Sequence, residues 1–151
     1  MQWGTITWFF LHTFSEKINE DFFTNNREQI IDLTISLFYA LPCPKCIDHA
    51  KNTVKQFNLN YIQKKEQYKE FLFQFHNKVN IITRKPTQFT MEEYNQKYKL
   101  AKFEEIIQLF RIIMNKDYSN QRNLTTEMYR KKVIHDFASF IRHNWQNFRW
   151  D

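Results

Sequence analysis

The chain has 151 residues and weighs 18.8 kDa, the size of one domain or of one small domain with an appendage. Its single glycine excludes the dinucleotide fingerprint and the P-loop, and its two cysteines exclude a disulfide framework and an all-cysteine zinc site. The net charge of +6 makes a nucleic-acid partner worth weighing, but the charge is spread along the chain, and the densest cluster is Arg130-Lys131-Lys132.

Scarce glycine and proline with 42% hydrophobic residues predict a mostly helical chain. Trp8, Leu11, His12 and Ser15 recur at spacings of three and four, which places a first helix from Thr5 to about Lys17. Asn19 to Arg27 is polar and reads as a connection anchored by Phe22-Phe23. Glu28 to Leu41 is a second helix with Ile31, Ile35 and Phe38 on one face, ended by Pro42. Pro44 suits the first turn of a third helix, which runs to about Phe57. A loop over 58–64 leads to a fourth helix from about Glu66 to Arg84, stopped ahead of Pro86. Met91 to Lys99 is a short fifth helix, with Thr90 as its N-cap and Glu93 at the capping-box position.

Lys102 to Asn115 is strongly helical. Residues 116–124 form a polar linker, and Thr125 to about Asn147 is a last helix with Met128, Val133, Phe137, Phe140 and Ile141 as its apolar stripe. The expected fold is therefore all-α: a four-helix bundle with a short fifth helix over residues 1–99, and a helical extension over 100–151. Phe103, Ile106, Ile107, Phe110 and Ile113 of that extension must bury against the bundle, a dimer partner or a client protein. Deleting residues 117–151 is expected to leave the ligand of the main site bound but to change the assembly or the preferred substrate. No apolar run approaches the roughly 18 residues that cross a bilayer, and no basic-then-apolar leader opens the chain. The expectation is a soluble protein in a reducing compartment, with no membrane partner. There a CxxC is more often catalytic or metal-binding than structural.

Three segments carry chemistry. Cys43-Pro44-Lys45-Cys46 begins a helix, so its cysteines share a face about 5.5 Å apart, close enough for a disulfide. The helix N-terminus and Lys45 favour a thiolate. The same pair is also half of a zinc site that His49 and either His12 or His76 would complete. His76, Val79 and Asn80 put an imidazole, an apolar patch and an amide on one helical face, suited to a flat heteroaromatic ligand. Trp8 and His12 make a stacking surface in the same way. Taken singly, the last two read more readily as a core histidine and a core aromatic stripe.

Together these segments resemble the flavin-dependent sulfhydryl oxidases of the Erv/Alr type. Gly4, Trp8 and His12 match the first motif of that family. Cys43, Cys46 and His49 match its redox motif, His76, Asn77, Val79 and Asn80 its HNxVN motif, and Lys85-Pro86 its downstream pair. The runs LPCPKCIDHA and FHNKVN are most similar to the branch encoded by large DNA viruses. The resemblance covers residues 1–99. It implies a helical bundle that binds FAD, usually as a homodimer, and oxidises protein thiols to disulfides with O2 as the final acceptor. Cys46 would pass electrons to the flavin and Cys43 would exchange with the incoming thiol. Gly4, Thr5, Trp8, His12, Cys46, His49, His76, Asn77, Val79, Asn80 and Lys85 would line the FAD site, with no metal. The family's second CxxC and structural disulfide are missing, and its aromatic before Pro-Cys is Leu41. The oxidase would then meet its clients directly or through a thioredoxin-like disulfide carrier. The implied place of action is the cytoplasm of the infected host cell, or the virion. The competing reading is a small basic helical binding module with a CxxC/His zinc site. It leaves HNxVN and Lys-Pro unexplained, and nucleic acid is not the expected partner.

Overall fold

A computed structural model describes residues 1–87, 90–118 and 124–151. In chain order the helices are α1 (Trp3–Lys17), α2 (Glu20–Asn25), α3 (Arg27–Phe38), α4 (Pro44–Val54), α5 (Lys65–Ile82), α6 (Met91–Lys99), α7 (Phe103–Met114) and α8 (Leu124–His143). Short 3-10 turns stand at Leu59–Tyr61 and Trp145–Asn147. Among the described residues there is no strand, only a single bridge between Ile18 and Phe148. The all-helical expectation is borne out.

Five local readings need correction. The polar connection after α1 contains a helix, α2. Asn19 starts it, accepting from the N–H groups of Asp21 and Phe22, while Glu20 and Asp21 set negative charge in its first turn. α3 ends at Phe38, and α4 at Val54, each three residues earlier than expected. The last helix stops at His143, and Met128, expected in its apolar stripe, is exposed. Val133, Phe137, Phe140 and Ile141 are buried as expected. Of the polar linker, residues 119–123 lie outside the described residues.

The core is built around α1. From Ile6 onward most of its circumference is buried against α5, α6 and α7. Phe10 stacks face to face on Phe110 of α7, with centroids 4.0 Å apart, and meets Phe137 of α8 edge-on at 4.9 Å. Phe14 meets the same Phe137 edge-on at 5.0 Å. Each buried phenylalanine contributes roughly 1.5–3 kcal/mol, and each well-oriented ring pair roughly 0.5–1.5 kcal/mol more. Residues 100–151 thus share one core with residues 1–99, and Phe103, Phe110 and Ile113 are buried in it.

The join between α7 and α8 disposes of the basic cluster. Arg130 is fully buried, its guanidinium donating to the carbonyls of Met114 and Lys116 and to both oxygens of Glu127. It satisfies carbonyls that the end of α7 leaves open. Lys132 pairs with Asp136. Arg130-Lys131-Lys132 is therefore not a continuous surface patch.

The final residues strap the end of α1. Asn19 N–H donates to the Asn147 carbonyl and Arg149 N–H to the Lys17 carbonyl, each at 2.8 Å. The buried Lys17 ammonium donates to the carbonyls of Lys99, which ends α6, and Asp151.

Candidate functional site

A cavity of about 620 Å³ opens between the first half of α1, the start of α4, the second half of α5 and α6. That volume lies within the roughly 300–1,000 Å³ usual for small-molecule sites. Each wall follows from local sequence. Phe75, His76, Val79, Asn80 and Thr83 line it from one face of α5 at helical spacing. Just past α5, Arg84 takes a left-handed backbone (φ 59°). The N–H of Lys85 then reaches the Asn80 carbonyl at 2.8 Å, and that of Arg84 the Ile81 carbonyl at 3.2 Å. This is the Schellman closure, with arginine where glycine is usual. It turns Lys85, Pro86 and Thr87 onto the cavity rim.

Cys43 sits between Pro42 and Pro44 in extended backbone, as a residue before proline prefers. It is the N-cap of α4, its sulfur accepting from the Cys46 N–H at 3.2 Å. Cys43 and Cys46 are joined in a disulfide, with Cα atoms 5.2 Å apart, in line with the spacing argument. The disulfide spans the cavity's edge: Cys46 lines the cavity and Cys43 does not.

An aromatic–imidazole stack forms the back wall. Trp8 lies flat on His76, centroids 4.0 Å apart and planes 7° apart, and also stacks on His12 at 5.3 Å. His12 Nε2 and His76 Nδ1 are within hydrogen-bond distance at 3.0 Å. Tyr94 of α6 meets the His12 ring edge-on at 4.2 Å, and its hydroxyl is 3.4 Å from His76 Nδ1. Burial, then the neighbouring His76 and Lys97, hold the His12 pKa well below the ordinary histidine value. Burial, then Lys97 and Lys85, lower that of His76 to about 3. Both rings are neutral at neutral pH. Burial raises the Tyr98 pKa, so its hydroxyl stays protonated.

The cavity is rich in donors. Lys85, Lys97 and the Asn80 amide line it, and among the described lining residues there is no carboxylate. Asn80 Nδ2 is buried with no hydrogen-bond partner among the described residues. Gly4 lines the cavity, and a Cβ built on it would meet nothing within 4 Å. Apolar walls, stacking rings, unpaired donors and rim cations suit a flat, acceptor-rich anion.

Of the sequence-predicted residues, Gly4, Thr5, Trp8, Cys46, His49, His76, Val79, Asn80 and Lys85 line the cavity. His12 lies behind it, touching Trp8 and His76. Asn77 is half-buried on α5 and is not in the lining. Sequence reasoning missed Lys97 and Tyr98 of α6, and the walls Phe38, Leu41 and Phe75. The cap at Thr90 located α6, but nothing in the sequence told which of its faces meets the cavity. The zinc grouping does not assemble: among the described residues no three His, Cys, Asp or Glu side chains converge as metal ligands.

The model of the Erv1/Alr family matches residues 5–99. The chain belongs to the Erv1/Alr family. It is similar to the protein named "Putative FAD-linked sulfhydryl oxidase 096R" of Invertebrate iridescent virus 3, with 29% identity over 99 residues. That match takes in 65% of this chain and 66% of the relative, so it spans just under two thirds of the relative's length. No solved structure matches the chain.

Proposed function

We propose that the chain is an FAD-dependent thiol oxidase that makes disulfide bonds in protein substrates. The observation that carries this reading is the placement of the Cys43–Cys46 disulfide, with Cys46 lining a donor-rich cavity and Cys43 outside its lining. Family membership and the relative's name support FAD as the cofactor. The residues present fit it. Trp8 and His76 offer a stacking wall, Asn80 and His76 offer hydrogen bonds, and Lys85 and Lys97 offer charge for a pyrophosphate. Gly4, Thr5, His49 and Val79 complete the lining, with His12 behind the stack. Asn77, a binding residue by family motif, is left outside this contact set.

The chain's own steps balance. A substrate thiolate bonds to the Cys43 sulfur, the Cys43–Cys46 bond breaks, and Cys46 leaves as a thiolate in the cavity. The positive end of α4 stabilises that charge. A second substrate thiolate then bonds to the first substrate sulfur and releases Cys43 as a thiolate, to which the Cys46 N–H is positioned to donate. The substrate leaves oxidised and the cysteine pair holds two more electrons. When bound, FAD supplies the acceptor for that electron pair and delivers it to O2 as hydrogen peroxide.

A homodimer and a separate thioredoxin-like carrier belong to the same proposal. The family supports thiol clients, and the 151 residues contain no third cysteine to relay the disulfide. The cytoplasm of an infected cell, or the virion, is the place of action in this proposal. Purified protein is expected to be yellow, to lose its visible band with dithiothreitol, and to take up O2 with thiols. Cys43→Ala and Cys46→Ala are each expected to abolish the uptake. A colourless protein that releases no flavin on denaturation would overturn the reading.

A further inference from the structure

The hydrogens of the buried His12–His76 pair can be assigned from the geometry. With both rings neutral, one hydrogen lies between His12 Nε2 and His76 Nδ1, which are 3.0 Å apart. If it belonged to His76, His12 would carry its own hydrogen on Nδ1. That atom is buried and has no partner. An orphaned buried N–H is rarer and more costly than an orphaned lone pair. The hydrogen therefore belongs to His12 Nε2, and His12 Nδ1 is bare. The Tyr94 hydroxyl, 3.4 Å from the same His76 Nδ1, faces it as a second donor. A neutral His76 that accepts at Nδ1 must carry its hydrogen on Nε2. Among the described residues that atom has no partner, it is not fully enclosed, and His76 lines the cavity.

We propose that His12, backed by Tyr94, is a positioning residue that fixes His76 as the Nε2–H tautomer, so that the cavity offers a bound dinucleotide a donor at that point. The inference rests on the FAD reading of the cavity. The other polar groups around the pair agree with it: Asn80 of α5, Lys97 and Tyr98 of α6, and Lys85 beyond α5 are all donors. A bare nitrogen at Nε2 would offer a lone pair where the neighbouring side chains offer donors. A donor there completes the set.

The test combines two readouts. Nitrogen-15 spectra of the histidine-labelled, cofactor-free protein report the tautomer, and fluorescence titration reports FAD affinity. In the wild type His76 is expected to be protonated at Nε2 and bare at Nδ1. His12→Gln, whose amide can place an N–H near the same point, keeps the tautomer and holds affinity within about threefold. His12→Leu removes the donor, mixes the tautomers and weakens FAD roughly 10- to 100-fold, the scale of one unsatisfied buried group. Tyr94→Phe produces a smaller shift in the same direction and serves where His12→Leu does not fold. Protonation of wild-type His76 at Nδ1 would overturn the proposal. So would a folded His12→Leu with unchanged tautomer and affinity, or a His12→Gln as impaired as His12→Leu. A wild type that binds no FAD overturns the functional reading instead, and the spectra of the cofactor-free protein still decide this one.

Discussion

Gly4 shows how one residue can serve a site at some cost to its own helix. It lies in the first turn of α1 without the positive φ that would demand glycine. It lines the cavity, and a Cβ built on it would meet nothing within 4 Å. Gly4→Ala is expected to leave the fold intact and raise stability by up to about 1 kcal/mol, since alanine loses less backbone freedom. A large side chain, as in Gly4→Phe, is expected to keep the fold and lose bound flavin. Melting curves and the flavin absorbance of the purified variants separate the two effects. At this scale most of the site was legible in the sequence. Trp8, Cys46, His76 and Lys85 are chemically distinctive and stand at helical or motif spacings. Phe38, Phe75 and Tyr98 were not, because an aromatic on a helix looks the same whether it faces a core or a cavity.

At the scale of elements, helix ends do more for the cavity than helix bodies. Arg84 adopts the left-handed conformation so that α5 can stop and aim Lys85 at the rim. An L-residue there costs about 1 kcal/mol relative to glycine. Arg84→Gly is therefore expected to stabilise the protein by about 1 kcal/mol in urea denaturation, with flavin affinity unchanged. Opposite signs would show that the arginine side chain itself contributes. The stop ahead of Pro86 was readable, but the backbone geometry that makes it was not. α2 escaped notice because six residues are too few to show periodicity, although its Asn19 cap and two first-turn acids were visible. α8 was readable in its inner face and misread at Met128, whose exposure depends on what α7 and α3 cover.

At the scale of the whole molecule, the last fifty residues are part of the core on which the site is built. Deleting residues 117–151 would strip Phe137 from Phe10 and Phe14, and remove the strap that reaches Lys17. The expected outcome is loss of cooperative unfolding together with loss of flavin, contrary to the expectation from sequence. Circular dichroism and bound flavin would report both. Sequence periodicity identified these helices as apolar without saying what they cover, since that depends on contacts over a hundred residues apart. Acid is expected to act on the whole fold through the paired histidines. Their folded-state pKa values lie below the usual 6.5, so the unfolded chain binds protons first as pH falls. Their contribution is fully present above about pH 6.5 and falls by about 1.4 kcal/mol per pH unit for each ring, continuing toward pH 3 for His76. Urea midpoints between pH 7.5 and pH 5 check this, and His12→Gln is expected to flatten the slope.

The disulfide at the cavity's edge has a kinetic consequence. In the proposed oxidase cycle thiols would arrive at Cys43, outside the cavity lining, and oxygen would act on the flavin side, within, so that neither co-substrate would need the other's place to be vacant. The two half-reactions then alternate through a stored pair of reducing equivalents. Double-reciprocal plots of rate against thiol, taken at several oxygen tensions, are expected to be parallel, the signature of a ping-pong cycle. Intersecting lines would mean that thiol and oxygen must be present on the protein together.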